Sequence, residues 1–150
     1  MTHKEAPTKF LLIEDDDDHA ELIKLSMETN ATNTELYRVR NGDDGIAFLK
    51  QVHEFTDSPV PDVVLLDLNM PKINGHDVIR FIKNDDVLKS IPVIVLTTSN
   101  AEQDKALAFK SNANSYVVKP SGFSNFQTMV HDLQLFWSQW NESPFIPTAP

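Results

Sequence analysis

The feature that most restricts how this chain can fold is an alternation. Five short apolar runs, at 9–13, 36–39, 63–66, 93–96 and 116–118, are separated by longer segments with helical spacing. V-V-L-L at 63–66 and V-I-V-L at 93–96 are too short for buried helices and are apolar on both faces, so both faces need cover. The run at 36–39 is weaker because it alternates with polar residues. From Asp18, the positions Leu22, Ile23, Leu25 and Met27 suit a helix with an acidic first turn. Ile46, Ala47, Leu49 and Lys50 begin a second helix after the cap-like Asn41-Gly42-Asp43-Asp44. Val78, Ile79, Phe81 and Ile82 mark a third after an Asn74-Gly75 turn, 101–110 a fourth, and 123–140 a long fifth. Strand and helix in strict succession predict βαβ units: an α/β, doubly wound, five-stranded parallel sheet with helices on both faces.

Composition narrows the function. A length of 150 residues suits one domain. The expected boundaries are an N-terminal extension at 1–8, the domain at 9–140, and a Pro-rich, irregular tail at 141–150. Net charge is −9 with no basic patch, which argues against nucleic acid. Without a bilayer-length apolar run or signal-like N-terminus, the expected location is the cytoplasm. Cysteine is absent, which removes disulfides, thiolate metal sites and thiol nucleophiles. Asn30-Ala31-Thr32 matches a glycosylation sequon, read as chance in such a chain.

The first apolar run continues into acid: F-L-L-I-E-D-D-D-D-H at 10–19. Adjacent like charges repel by ~1 kcal/mol in water and more where water is excluded, so a cation is expected nearby. In an open parallel sheet, functional groups gather beyond the carboxyl ends of the strands. Those ends deliver Glu14 and Asp15, Asp67 with Asn69, Thr97 and Thr98, and Lys119. Mg²⁺ takes hard oxygen ligands: Asp15 and Asp67 can supply carboxylates, Asn69 a carbonyl, and Glu14 a bond to metal-bound water. Lys119 suits a phosphoryl oxygen, Thr97 can donate to another, and an aspartate can attack phosphorus. An EF-hand reading from Asp15 fails, because Ala20 stands where the sixth-position glycine belongs. Asp16, Asp17 and Asp18 are expected to be surface acids, one of them capping the first helix.

These residues resemble a known family. Glu14-Asp15, V-V-L-L-D-L-N-M-P with Gly75 after it, Leu96-Thr97-Thr98 and Lys119-Pro120 are similar to the receiver domain of two-component response regulators over roughly 8–140. L-T-T-S at 96–99, Phe136-Trp137 and the short tail after Trp140 further resemble stand-alone regulators that partner bacterial phytochrome histidine kinases. The resemblance implies the flavodoxin-like strand order 2-1-3-4-5. It implies that Asp67 accepts a phosphoryl group from a kinase phosphohistidine in a phosphorelay. Asp15, Asp67 and Asn69 would hold Mg²⁺, with Glu14 acting through water. Lys119 and Thr97 would bond the phosphoryl group, Thr98 would add its backbone N–H, and Thr97 and Tyr116 would be the switch pair, Tyr116 swinging inward. The Lys119–Pro120 peptide is expected to be cis. Three departures stand out: Glu14 where many members carry Asp, a bulkier Thr98 than usual, and Ser121 where an aromatic is frequent.

With no output domain after the receiver, the expected output is a surface. The family's responsive face is the fourth helix, fifth strand and fifth helix, for which Phe109, Tyr116, Phe123, Phe126, Met129, Phe136 and Trp137 are candidates, and a homodimer is the expected assembly. The chain is not expected to be an enzyme beyond Mg²⁺-dependent self-phosphorylation and autodephosphorylation. An aspartate-nucleophile phosphatase would carry a second Asp at position 69, where this chain has asparagine, and a cap domain. A flavin carrier would need a hydroxyl-rich phosphate loop where this chain is acidic.

Overall fold

A computed structural model describes residues 6–30 and 32–144. Ala31, at the centre of the sequon-like tripeptide, lies outside the described residues, as do 1–5 of the expected N-terminal extension and 145–150 of the expected tail. The elements run β1 (Thr8–Ile13), α1 (Asp17–Glu28), β2 (Thr34–Val39), α2 (Gly42–Lys50), β3 (Val63–Leu66), α3 (Gly75–Asn84), β4 (Val93–Thr97), α4 (Glu102–Lys110), β5 (Ser115–Val118) and α5 (Phe123–Leu135). All strand pairs are parallel, in the order β2-β1-β3-β4-β5. This is the doubly wound α/β sheet that the sequence predicts.

Period-two alternation sends each strand's side chains to opposite faces. Leu11, Ile13, Val64, Leu66, Val93 and Val95 pack with Phe48, Val78, Ile79, Ile82 and Ala108 of α2, α3 and α4. Phe10, Leu12, Val63, Leu65, Ile94 and Leu96 pack with Ala20, Ile23, Phe126 and Val130 of α1 and α5. The edge strands are less buried: β5 is half-buried throughout, and β2 everywhere but Val39.

Several expectations are corrected. The last helix is not continuous to Trp140: α-helix ends at Leu135 and a π-helical turn, Phe136–Trp140, follows, closed by Asn141 N–H donating to Phe136 O at 2.8 Å. Asn74-Gly75 is not a tight turn. Asn74 caps α3 by accepting from the Asp77 amide, and Gly75 is its first helical residue. No described peptide bond is cis, so Lys119–Pro120 is trans, the form X-Pro bonds favour by ~0.5–1 kcal/mol. Of the candidate surface residues at this end, Phe126 is buried in the core, Tyr116, Met129 and Trp137 are half-buried, and Phe109, Phe123 and Phe136 are exposed.

Candidate functional site

The sheet's hydrogen bonding continues one residue past three strands. Glu14 N–H donates to Val39 O, Asp67 N–H to Ile13 O, and Lys119 N–H to Thr97 O. Glu14, Asp67 and Lys119 are therefore fixed by the ladder itself rather than by loose loops. Single ligand oxygens of Glu14, Asp15 and Asp67 lie within 4.8 Å of one another. Lys119 Nζ stands 2.5 Å from Glu14 Oε1 and 3.5 Å from Asp67 Oδ2. Glu14, Asp67, Thr97 and Lys119 are buried, Asp15 is half-buried, and Asn69 and Thr98 are exposed.

Asp67 Oδ1 accepts from the Asn69 amide at 3.2 Å. Thr97 Oγ1 accepts from Asn69 Nδ2 at 3.4 Å and from the Ser99 amide at 3.2 Å. Thr98 lines an open cleft of about 390 Å³ with His19, Leu22, Lys119, Pro120 and Phe123. The Tyr116 hydroxyl donates to Ser99 O at 2.9 Å, and its ring is tilted against Phe109.

Burial pushes the Glu14 carboxyl up to about 7, against the opposing pull of Lys119. The folded protein then keeps a proton that the unfolded chain, with its ordinary carboxylate, has already released. Without divalent cation, stability is expected to fall as pH rises from about 4.5 to 7, by at most ~1.4 kcal/mol per pH unit. Urea denaturation of wild type and Glu14→Gln in chelator checks this: the variant should lose that descending slope. A wild-type slope equal to the variant's across the window would refute it.

Within the acidic run one acid caps the first helix, as expected, and another is more than a plain surface acid. Asp16 caps α1, accepting from the Asp18 and His19 amides. Asp17 pairs with Arg38 at 2.9 Å and Arg40 at 2.7 Å, and both hydrogen bonds hold its carboxyl below the usual range. Arg38 also donates twice to the Glu14 carbonyl, at 2.9 and 2.7 Å, which ties β2 to the end of β1. Arg38 escaped sequence reasoning, because nothing in a strand's residue order states which loop its side chain reaches. His19 escaped it too: from the first turn of α1 its Nδ1 sits 2.9 Å from Lys119 Nζ.

Three hard-oxygen carboxylates converging beside a buried ammonium suit a divalent cation and a phosphoryl group. A parallel α/β sheet with that cluster at its carboxyl edge defines the response regulator receiver domain, whose family model matches residues 10–131; the chain belongs to this family. It is 37% identical to the probable methanogenesis regulatory protein FilR2 of Methanothrix harundinacea, covering 93% of this chain and 90% of FilR2. It is also 37% identical to the response regulator Rcp1 of Synechocystis, covering 87% and 89%. The crystal structure of the Mn²⁺-bound form of Rcp1 matches with a TM-score of 0.87 at 36% identity, covering 93% of this chain and all of that one. That of the phosphorylated cyanobacterial phytochrome response regulator RcpA matches with a TM-score of 0.89 at 34% identity and the same coverage. Receiver domains take phosphoryl groups from sensor histidine kinases, so this chain works in phosphorelay signalling. Among the described residues, no helix is long and apolar enough to cross a membrane.

Proposed function

We propose that Asp67 is the phosphoacceptor and that the donor is a sensor histidine kinase of the phytochrome type. One observation carries the first part: a buried carboxylate at the end of the central strand, 3.5 Å from a buried ammonium and beside two further carboxylates. The likeness to Rcp1 and RcpA supports the second. An oxygen of Asp67 attacks the phosphorus of the phosphohistidine; the O–P bond forms, the N–P bond breaks, and the imidazole leaves. Lys119 balances charge on a phosphoryl oxygen, Thr97 turns its hydroxyl to another, and the Thr98 N–H donates to it as well. Asp15, Asp67 and the Asn69 carbonyl would hold Mg²⁺, with Glu14 bonded through water, and such an ion neutralises charge on the transferred group. Tyr116 follows Thr97 as the switch aromatic. Self-phosphorylation from small phosphodonors, autodephosphorylation, a cytoplasmic location and a receiver domain spanning 9–140 belong to the same reading.

The test is incubation with acetyl phosphate and Mg²⁺, followed by intact mass measurement. Wild type should gain one phosphoryl group and Asp67→Asn none; equal gain by both would reject Asp67 as acceptor.

The output surface in this reading is the face of α4, β5 and α5, and the assembly is a homodimer. Exposed Phe109 on α4 and exposed Leu135, Phe136 and Trp140 at the end of α5 support it. Sedimentation at micromolar concentration should give a dimer, and Phe136→Ser with Trp140→Ser should weaken it at least tenfold. A monomer in both phosphorylation states would rule the dimer out.

A further inference from the structure

The residue that follows β1 is gripped at both ends of its backbone. Glu14 N–H donates to Val39 O at 3.1 Å. The Glu14 carbonyl accepts from Arg38 Nε at 2.9 Å and from Arg38 Nη2 at 2.7 Å. The remaining nitrogen of the guanidinium, Nη1, pairs with Asp17 Oδ1 at 2.9 Å. All three nitrogens of Arg38 are thus engaged, and a planar fork held at three points cannot turn freely. The carbonyl it holds belongs to the same planar peptide unit as the Asp15 N–H. Fixing that plane fixes the direction from which Asp15 leaves the chain. Asp15 is half-buried, and its carboxylate meets those of Glu14 and Asp67. The ion pair of Arg38, by contrast, is with Asp17, outside that cluster.

We propose that Arg38 is a positioning residue for the divalent cation, holding the Glu14–Asp15 peptide so that the Asp15 carboxylate converges with Glu14 and Asp67. This role rests on the reading of Asp15 as a cation ligand and deepens it. Without the fork, water takes its place on the Glu14 carbonyl and the peptide plane is no longer set. Charge alone predicts the opposite effect. A guanidinium this near the acidic cluster repels a cation, so removing it should tighten Mg²⁺ binding. Positioning predicts weaker binding, because groups that orient metal ligands typically carry roughly 10–100-fold in affinity. The two accounts differ in sign.

The experiment is Mg²⁺ titration of the unphosphorylated full chain, followed by backbone amide NMR shifts, in wild type, Arg38→Lys, Arg38→Met and Asp15→Asn. Urea denaturation in chelator runs alongside. Arg38 lies half-buried on the edge strand, so the fold should survive its replacement. Lysine keeps the charge but offers a single point in place of the fork. Both Arg38 variants should raise the Mg²⁺ Kd by about tenfold or more. A tighter Kd in Arg38→Met, or a wild-type Kd in either variant, overturns the positioning role, whatever the change in stability. Independently of any variant, the Arg38 Nε–H of metal-free wild type should be protected from solvent exchange; an unprotected one overturns the grip. If wild type binds no Mg²⁺, or Asp15→Asn binds it as wild type does, the reading of Asp15 falls and the role of Arg38 with it. If Asp15→Asn is weakened and the Arg38 variants are not, only the role of Arg38 falls.

Discussion

Lys119→Met is expected to lower the unfolding free energy at neutral pH, without divalent cation, by about 3–5 kcal/mol. Methionine fills nearly the same space, so the loss comes from charge rather than from a cavity. The Lys119 side chain is 2% exposed, and its ammonium touches Glu14 and approaches Asp67. Without it, the carboxylates of Glu14, Asp15 and Asp67 converge with no buried cation to oppose them. Two conditions should relieve the loss. Acid lets Glu14 take up the proton that burial already favours, so the gap to wild type narrows as pH falls. Mg²⁺ should narrow it again by supplying positive charge. Urea denaturation across pH, with Mg²⁺ or chelator, reads both effects. A deficit indifferent to pH and to Mg²⁺ would mean that Lys119 matters only through packing.

Gly75→Ala should be damaging although alanine ordinarily stabilises a helix by ~0.5–1 kcal/mol over glycine. A Cβ at Gly75 would lie 2.7 Å from Leu68 Cα and 2.9 Å from Asp67 O. Both are backbone atoms that no rotamer change can move aside. Overpacking of this kind costs ~1–3 kcal/mol, so a net loss of about 1–2 kcal/mol is expected. The larger effect falls on chemistry, because the atoms that must yield carry Asp67 and Asn69. A displacement near 1 Å costs about 10²-fold in rate, and phosphorylation by acetyl phosphate should slow by that order. Thermal unfolding and the time course of intact mass test the two parts. A variant more stable than wild type, or one phosphorylated at the wild-type rate, would show that the loop yields freely.

Gly75 also shows where residue order misleads. Asn-Gly reads as a tight turn because both residues tolerate positive φ. Here the asparagine caps a helix, and the glycine is required by the nearness of the 67–68 backbone, a distance that exists only in the folded chain. Asp17 gives a parallel case: in sequence it is one acid among five, yet it joins Arg38 on β2 and Arg40 just after it. The contacts of Asp104 with Ser99 and His76 left no local signal, because His76 and Asp104 are 28 residues apart on helices whose relative placement the sequence does not state.

What the sequence determined by itself was the layering and which residues are candidates for the site. Strand and helix periods are local properties, and a parallel sheet puts its functional residues at the carboxyl ends of its strands, so Glu14, Asp15, Asp67, Asn69, Thr97, Thr98 and Lys119 could be collected without coordinates. Tertiary structure decided which of these are buried, which pairs touch, and what stands behind them. Those outcomes depend on strand register and helix placement, which arise from packing summed over the whole core. The acidic run at 14–18 contains both kinds of information: its charge and a helix-capping acid within it were legible in the sequence, while the burial of Glu14 against Lys119 and the pairing of Asp17 with two arginines came only with the fold.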